Sequence, residues 1–257
     1  MITSALQGGL GNQMFQIAAA AAIAWRNDDA PVFDLDNHYL PLQGRKASNY
    51  VNNIFRNVDF KENLDIKSVY REPHHHYSKI LYYENLCIIG YFQSEKYFSD
   101  YGDKIKELFS LPKKDNDYLS EKYGKTLSLK TTSIHIRRGD YLQFSNIHPS
   151  CGQEYYSKAM KNIPDTEKFI IFSDDPQWCK ENFRGERFLV VEGEEDYIDM
   201  HLMSKCDNNI IANSSFSWWA AWLNNNPQKN IIAPAKWFGD DGPQDEQDML
   251  PENWTRI

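Results

Sequence analysis

Apolar residues in the second half of the chain fall into short β-branched runs separated by longer stretches with helical spacing. The runs are TSIHIR (132–137), KFIIFS (168–173), RFLVV (187–191), NIIAN (209–213) and NIIAP (230–234). Between most of them lie EYYSKAMKNI, PQWCKENF, YIDMHLMSKC and FSWWAAWLNN, each patterned as a helix. Such alternation predicts βαβ units on a parallel sheet. Ligands of these sheets bind outside the carboxyl ends of the strands, which is where HIRRGD, FSDD and ANSS stand. The first half is less regular. MITSAL reads as a strand, a glycine turn follows, and MFQIAAAAAIAWR is a strong helix. PVFDL and LCIIGYF read as further strands, with helices around 95–109 and 115–123. The pattern predicts two α/β lobes, 1–128 and 129–257, the first being the smaller in regular structure.

Composition narrows the class. The 257 residues are 41% hydrophobic and 25% charged, the balance of a soluble globular protein. No apolar run nears the roughly 20 residues that span a bilayer, and IAAAAAIAW follows Gly, Asn and Gln instead of a basic region, so no signal peptide is expected. A net charge of −8 speaks against a nucleic-acid partner. The acidity is dispersed, which still allows a local basic pocket for a small anion. Cys87, Cys151, Cys179 and Cys206 form no CxxC pair, so reduced thiols in a cytoplasmic protein are expected. No metal site is expected: the HHH at 74–76 has no spacing to a second ligand cluster and reads as an ordinary loop.

Four stretches carry chemistry. In SIHIR, alternation puts His135 and Arg137 on one face and Ile134 and Ile136 on the other, toward the core. Arg138, Gly139 and Asp140 then make a turn. A guanidinium fork suits phosphate oxygens, and Asp140 can hold one arginine while the other meets a ligand; a salt-bridged surface turn is the alternative. In NSSFSWW, Asn213 ends a strand and a helix begins, whose first N–H groups lack intrahelical partners and suit an anion. Ser214 and Ser215 add hydroxyls, unless Asn213 or Ser214 merely caps. Trp218, Trp219 and Trp222 read as core. In FSDDPQW, Ser173 and Asp174 end a strand, while Asp175 caps the helix opened by Pro176. Asp174 is left for a ligand such as a guanine edge. In GGLGNQMF, Gly9 and Gly11 begin like a dinucleotide fingerprint but Met14 replaces the third glycine, leaving Asn12 and Gln13 at the turn. A DxD reading of Asp34 and Asp36 is the weaker possibility, since the phosphate-binding features lie in the other lobe.

Together with GYFQSEKYF (90–98), APAKWF and PENW, these motifs resemble the α-1,2-fucosyltransferases of glycosyltransferase family 11, over nearly the whole chain. The resemblance implies a GT-B fold, two Rossmann-like lobes facing across a cleft, and metal-independent, inverting transfer of L-fucose from GDP-β-L-fucose to the 2-hydroxyl of a terminal β-galactoside. No cofactor is implied, and the glycan acceptor and GDP-fucose are the partners. It assigns Arg137 to the β-phosphate and Asn12 to the reaction centre as catalytic residues. His135, Arg138, Asp140, Ser173, Asp174, Asn213, Ser214, Ser215, Phe216, Gly9, Gly11 and Gln13 complete the donor-binding set, with Asp174 on guanine and Ser214, Ser215 and Phe216 at the pyrophosphate. The rival readings are a nicotinamide-dependent oxidoreductase, which rests on Gly9, Gly11 and Asp34, and a non-catalytic nucleotide- or glycan-binding protein.

Overall fold

The computed structural model describes residues 1–35 and 45–257. The chain divides into two compact units: Met1–Pro112 with Asp245–Pro251, and Lys113–Gln244 with Glu252–Ile257. The break thus precedes the helix at 113–127, which the sequence pattern assigned to the first lobe. The last residues of the chain visit the first unit before ending in the second.

In the first unit, β1 (Ile2–Ser4) leads through the glycine turn into α1 (Leu10–Arg26). Further along come β2 (Ser68–Arg71), β3 (Leu86–Ile89) and the short α2 (Gly102–Leu108). The three strands are parallel in the order β1-β3-β2. Helix α1 is buried on nearly every side from Leu10 to Ala24. Its run of alanines gives it helix propensity and a slim profile that neighbours can approach closely. PVFDL forms only isolated bridges, Ile2 to Pro31 and Phe33 to Phe60, because Asp34 ends the short apolar run.

The second unit opens with α3 (Lys113–Leu127) and alternates regularly thereafter: β4 (Thr131–Ile136), α4 (Gln153–Lys161), β5 (Lys168–Ser173), α5 (Pro176–Asn182), β6 (Phe188–Val190), α6 (Asp196–Ser204), β7 (Asn208–Ile210), α7 (Ser215–Leu223), β8 (Ile231–Ala233) and β9 (Thr255–Arg256). All six strands are parallel, in the order β6-β5-β4-β7-β8-β9. Counted from β4 this is the 3-2-1-4-5-6 order of a Rossmann sheet, whose ligand crevice opens where the order reverses. Here that point lies between β4 and β7.

Every residue of β4 is buried. Ile134 and Ile136 pack with Tyr156 of α4, Cys179 of α5 and Phe169 and Ile171 of β5. The opposite face is polar yet equally enclosed: Asn209 Nδ2 donates to Ser133 Oγ at 2.7 Å, and Asn224 Nδ2 donates to Asn209 Oδ1 at 2.8 Å. A buried polar face is tolerated because its groups satisfy one another. Trp218 and Trp219 are fully buried, and Trp218 also meets Trp254 with ring centroids 5.4 Å apart. Among the described residues, no helix is long and apolar enough to cross a membrane.

Candidate active site

Strand register brings three of the predicted motifs together in the second unit. Ile136 pairs with Ser173 and Ile134 with Ile210, so the loops after β4, β5 and β7 emerge side by side at the switch point. Arg137 is the first residue beyond β4. Its guanidinium meets Asp140 through Nη2 at 2.8 Å and Asp174 through Nη1 at 3.1 Å. Arg138 donates from Nε to Asp175 Oδ2 at 3.1 Å, and its guanidinium lies 4.1 Å from the centroid of the Trp178 ring. The backbone N–H of Arg138 donates to Asp174 Oδ1 at 2.9 Å.

Asp174 is therefore committed twice, to the backbone and to the side chain of the arginine loop, where the sequence alone leaves it for a ligand. Gly139 has to be glycine for the same reason, since a Cβ there would stand 2.7 Å from Asp174 Oδ2. Asp175 caps α5 as predicted, accepting from Trp178 N at 3.1 Å. Ser173 Oγ accepts from Asp175 N at 3.0 Å, which fixes the turn. The two arginines face three carboxylates, so the network carries a net charge of −1, and its ion pairs hold the guanidinium forks in place.

Helix α7 begins beside this loop. Asn213 is buried and does not cap: its Nδ2 donates to Pro149 O and Trp237 O, both at 2.9 Å. Ser214 occupies the N-cap position, and its side chain makes no capping bond. The helix thus starts at Ser215 without the side-chain cap that simple capping by Asn213 or Ser214 would give. Tyr141 joins the two loops. Its hydroxyl donates to Asn213 O at 2.9 Å and its ring sits 5.5 Å from the Arg137 guanidinium. Burial raises its phenol well above the usual range.

His135 differs from the sequence expectation. The strand is covered on both faces, so its ring does not point into open space: only 5% of the residue is exposed, and Nδ1 lies 2.9 Å from Ser217 Oγ in the first turn of α7. Burial, with Arg137 nearby, pushes the imidazole down to about 3, so it stays neutral. Its ring centroid is 5.4 Å from that of Phe216. His135 thus ties β4 to the start of α7 and positions Phe216, and it presents no charge of its own to a ligand. Sequence reasoning missed Tyr141, Ser217 and Trp178. The first closes HIRRGDY, and the second follows Ser214 by one helical turn, a spacing that could have marked it.

In the glycine turn before α1 the left-handed residue is Gly8, at φ +79°, and a Cβ there would clash with Asn12. Gly9 is the N-cap of α1 and accepts from Asn12 N and Gln13 N, while Gly11 lies buried inside the helix. Gln13 is also buried, donating from Nε2 to Gly8 O at 2.9 Å and Arg45 O at 2.7 Å. It braces the turn. Asn12 Oδ1 accepts from Gln93 Nε2 at 2.7 Å, joining GGLGNQ to GYFQSEKYF at the ends of the adjacent strands β1 and β3. Asp34 is partly buried, and Asp36 lies outside the described residues. Among the described residues, His74, His76 and Asp245 form a group able to hold a metal. The HHH run therefore has the ligand partner that linear spacing concealed.

Comparison with known proteins bears on the whole chain. The sequence profile of Glycosyl transferase family 11 matches residues 1–257. An O-antigen biosynthesis glycosyltransferase, WbnK of Escherichia coli, is 32% identical over 99% of both chains. An α-1,2-colitosyltransferase of the same organism is 31% identical over 100% of this chain and 99% of its own length. A galactoside 2-α-L-fucosyltransferase of Caenorhabditis elegans is 24% identical over 100% of this chain and 79% of its own. Among solved structures, the fucosyltransferase NodZ from Bradyrhizobium superposes with a TM-score of 0.55 at 14% identity, covering 85% of this chain and 91% of that one. The fold is the α/β GT-B type of these transferases.

Proposed function

The chain belongs to glycosyl transferase family 11, and from that membership we propose that it transfers an L-fucosyl group from GDP-β-L-fucose to the 2-hydroxyl of a terminal β-galactoside. The observation that carries this reading is the meeting, at the switch point of the second unit, of the Arg137 loop with the start of α7. Breaking the bond between fucose and phosphate leaves negative charge on GDP. Fixed donors aimed at that phosphate lower the transition state more than the ground state. Arg137 supplies a rigid fork, and α7 supplies N–H groups at the positive end of its dipole. Neither requires a metal ion.

Asp174 gives the site a second property. A carboxylate can accept the paired N–H donors of guanine, yet here it holds Arg137. Binding of the base draws Asp174 away and frees the fork for the β-phosphate, so base recognition and leaving-group activation are coupled. By the same family resemblance Asn12, held by Gln93, is proposed as the second catalytic residue. Inversion at the anomeric carbon follows from attack by the galactoside hydroxyl opposite the departing phosphate. The chain works in the cytoplasm, a setting supported by its four free cysteines.

The test is GDP release from GDP-fucose across a panel of β-galactosides in excess EDTA, with mass spectrometry of the product linkage. An α-1,2-fucosylated product is expected. A colitosyl donor is the second reading, favoured by the 31% identical relative, and it is run in parallel. Transfer of neither sugar to any galactoside would sink the proposal.

A further inference from the structure

The loop after β2 carries His74, His75 and His76, and Asp245 reaches it from 169 positions beyond His76. One ligating atom from each of His74, His76 and Asp245 lies within 4.8 Å of the others. We infer that these three side chains bind a single zinc ion, or a similar borderline divalent cation, which clasps the returning segment 245–251 onto the loop.

The donor set of two imidazoles and one carboxylate, with water completing a tetrahedron, suits zinc and not magnesium or calcium. Part of the ligand arrangement is in place. His74 Nδ1 lies 3.1 Å from the carbonyl oxygen of His76. A carbonyl only accepts, so Nδ1 carries a hydrogen there; Nε2 lies 3.2 Å from Ser78 Oγ, a partner that zinc would displace. Zinc-bound histidines commonly donate their other N–H to such a carbonyl. His76 Nδ1 stands 3.1 Å from Asp245 Oδ2, close to the ligand–ligand edge of about 3.3 Å implied by zinc bonds of roughly 2.0–2.1 Å. Zinc would take the place of the proton shared there.

One further feature agrees. The backbone N–H of His75 donates to Asp245 Oδ2 at 2.9 Å and holds the carboxylate against the loop. The His74 and His76 rings stack with centroids 3.3 Å apart and planes 11° apart; a metal ion lies in the plane of each imidazole it binds, so one ring turns out of the stack as zinc enters. Asp248 fastens the same segment, accepting from Tyr77 N at 3.0 Å and pairing with Lys96. The zinc site is structural, lies within the first unit and is independent of the proposed donor reading.

The test starts from the intact chain freed of metal by chelator dialysis. Calorimetric titration with zinc should show one equivalent bound with a dissociation constant of micromolar or below, and saturation should raise Tm by several degrees. Cobalt(II) should give visible bands of a tetrahedral nitrogen–oxygen site. His76→Gln and Asp245→Asn should each weaken zinc binding at least tenfold and abolish the cobalt bands. The wild-type titration needs neither variant, so misfolding of one leaves the test intact. Absence of saturable zinc binding at 100 µM, or equal binding by folded forms of both variants, would overturn the inference.

Discussion

Arg137 is the residue on which the proposed chemistry turns, and it is held by two carboxylates before any ligand arrives. Lysine at this position keeps the charge but loses the planar fork. Arg137→Lys should cut turnover at least about a hundredfold, comparable to removing one preorganised donor, while GDP affinity suffers less. Steady-state kinetics beside calorimetry separate the two effects, and near-normal turnover would dismiss the phosphate role. The coupling through Asp174 makes a sharper claim. Asp174→Ala should weaken GDP by about 10- to 100-fold, the usual scale for a charged hydrogen bond, yet bind inorganic pyrophosphate more tightly, because a competitor for Arg137 has gone. Parallel losses of both ligands would contradict it. His135 acts on stability instead. Its imidazole titrates near 3 when folded and near 6.5 when unfolded. Between those values the unfolded chain binds a proton that the native state refuses, so stability falls as pH drops, by about 1.4 kcal/mol per unit at most. His135→Asn should flatten guanidinium midpoints measured from pH 4 to 6.5, and an unchanged slope would assign the acid sensitivity elsewhere.

Helix α5 shows how one side chain can serve an element and a site together. Asp175 caps its first turn and pairs with Arg138. Asp175→Ala should cost about 1 kcal/mol from the lost cap alone, whereas Asp175→Asn should retain most of that stability while releasing Arg138. Equal thermal shifts in the two variants would mean that the cap contributes little. This helix was legible in the sequence because Pro176 and Asp175 are local signals. Strands β4 to β8 were legible for a similar reason, each being a short apolar run. Signals that depend on distant residues were not. The sheet-edge strand β9 has only Thr255 and Arg256, and β2 alternates weakly. The polar face of β4 looked like a ligand face because alternation cannot distinguish solvent from the buried side of a second helix layer. The partner of His76 is invisible to spacing, since Asp245 joins it only through the fold. At the site itself, the clustering of Arg137, Asp174 and Ser214 followed from their places at strand ends. The pairing of Asp174 with Arg137 did not, because a pattern of residue types does not say which charges meet.

At the scale of the molecule, the final residues serve both units. Met249 and Leu250 are buried and belong to the first, whereas Trp254 is buried and Ile257 exchanges backbone hydrogen bonds with Ala233 and Ala235 in the second. A chain ending at Gln244 should therefore melt at a lower temperature and become open to protease in both units. An unshifted Tm and unchanged protease resistance of that truncated chain would show that the tail is dispensable. The same arrangement sets a timetable for biosynthesis. At 5–20 residues per second, the stretch separating Pro112 from Asp245 takes on the order of ten seconds to emerge. For that interval residues 1–112 have emerged without the segment 245–251 that completes their unit, while the second unit waits for β9. Nascent chains are thus incomplete in both units until residues 245–257 have emerged, and an early stop codon or a ribosome stalled before them would release a client for chaperones and proteases instead of a half-working enzyme.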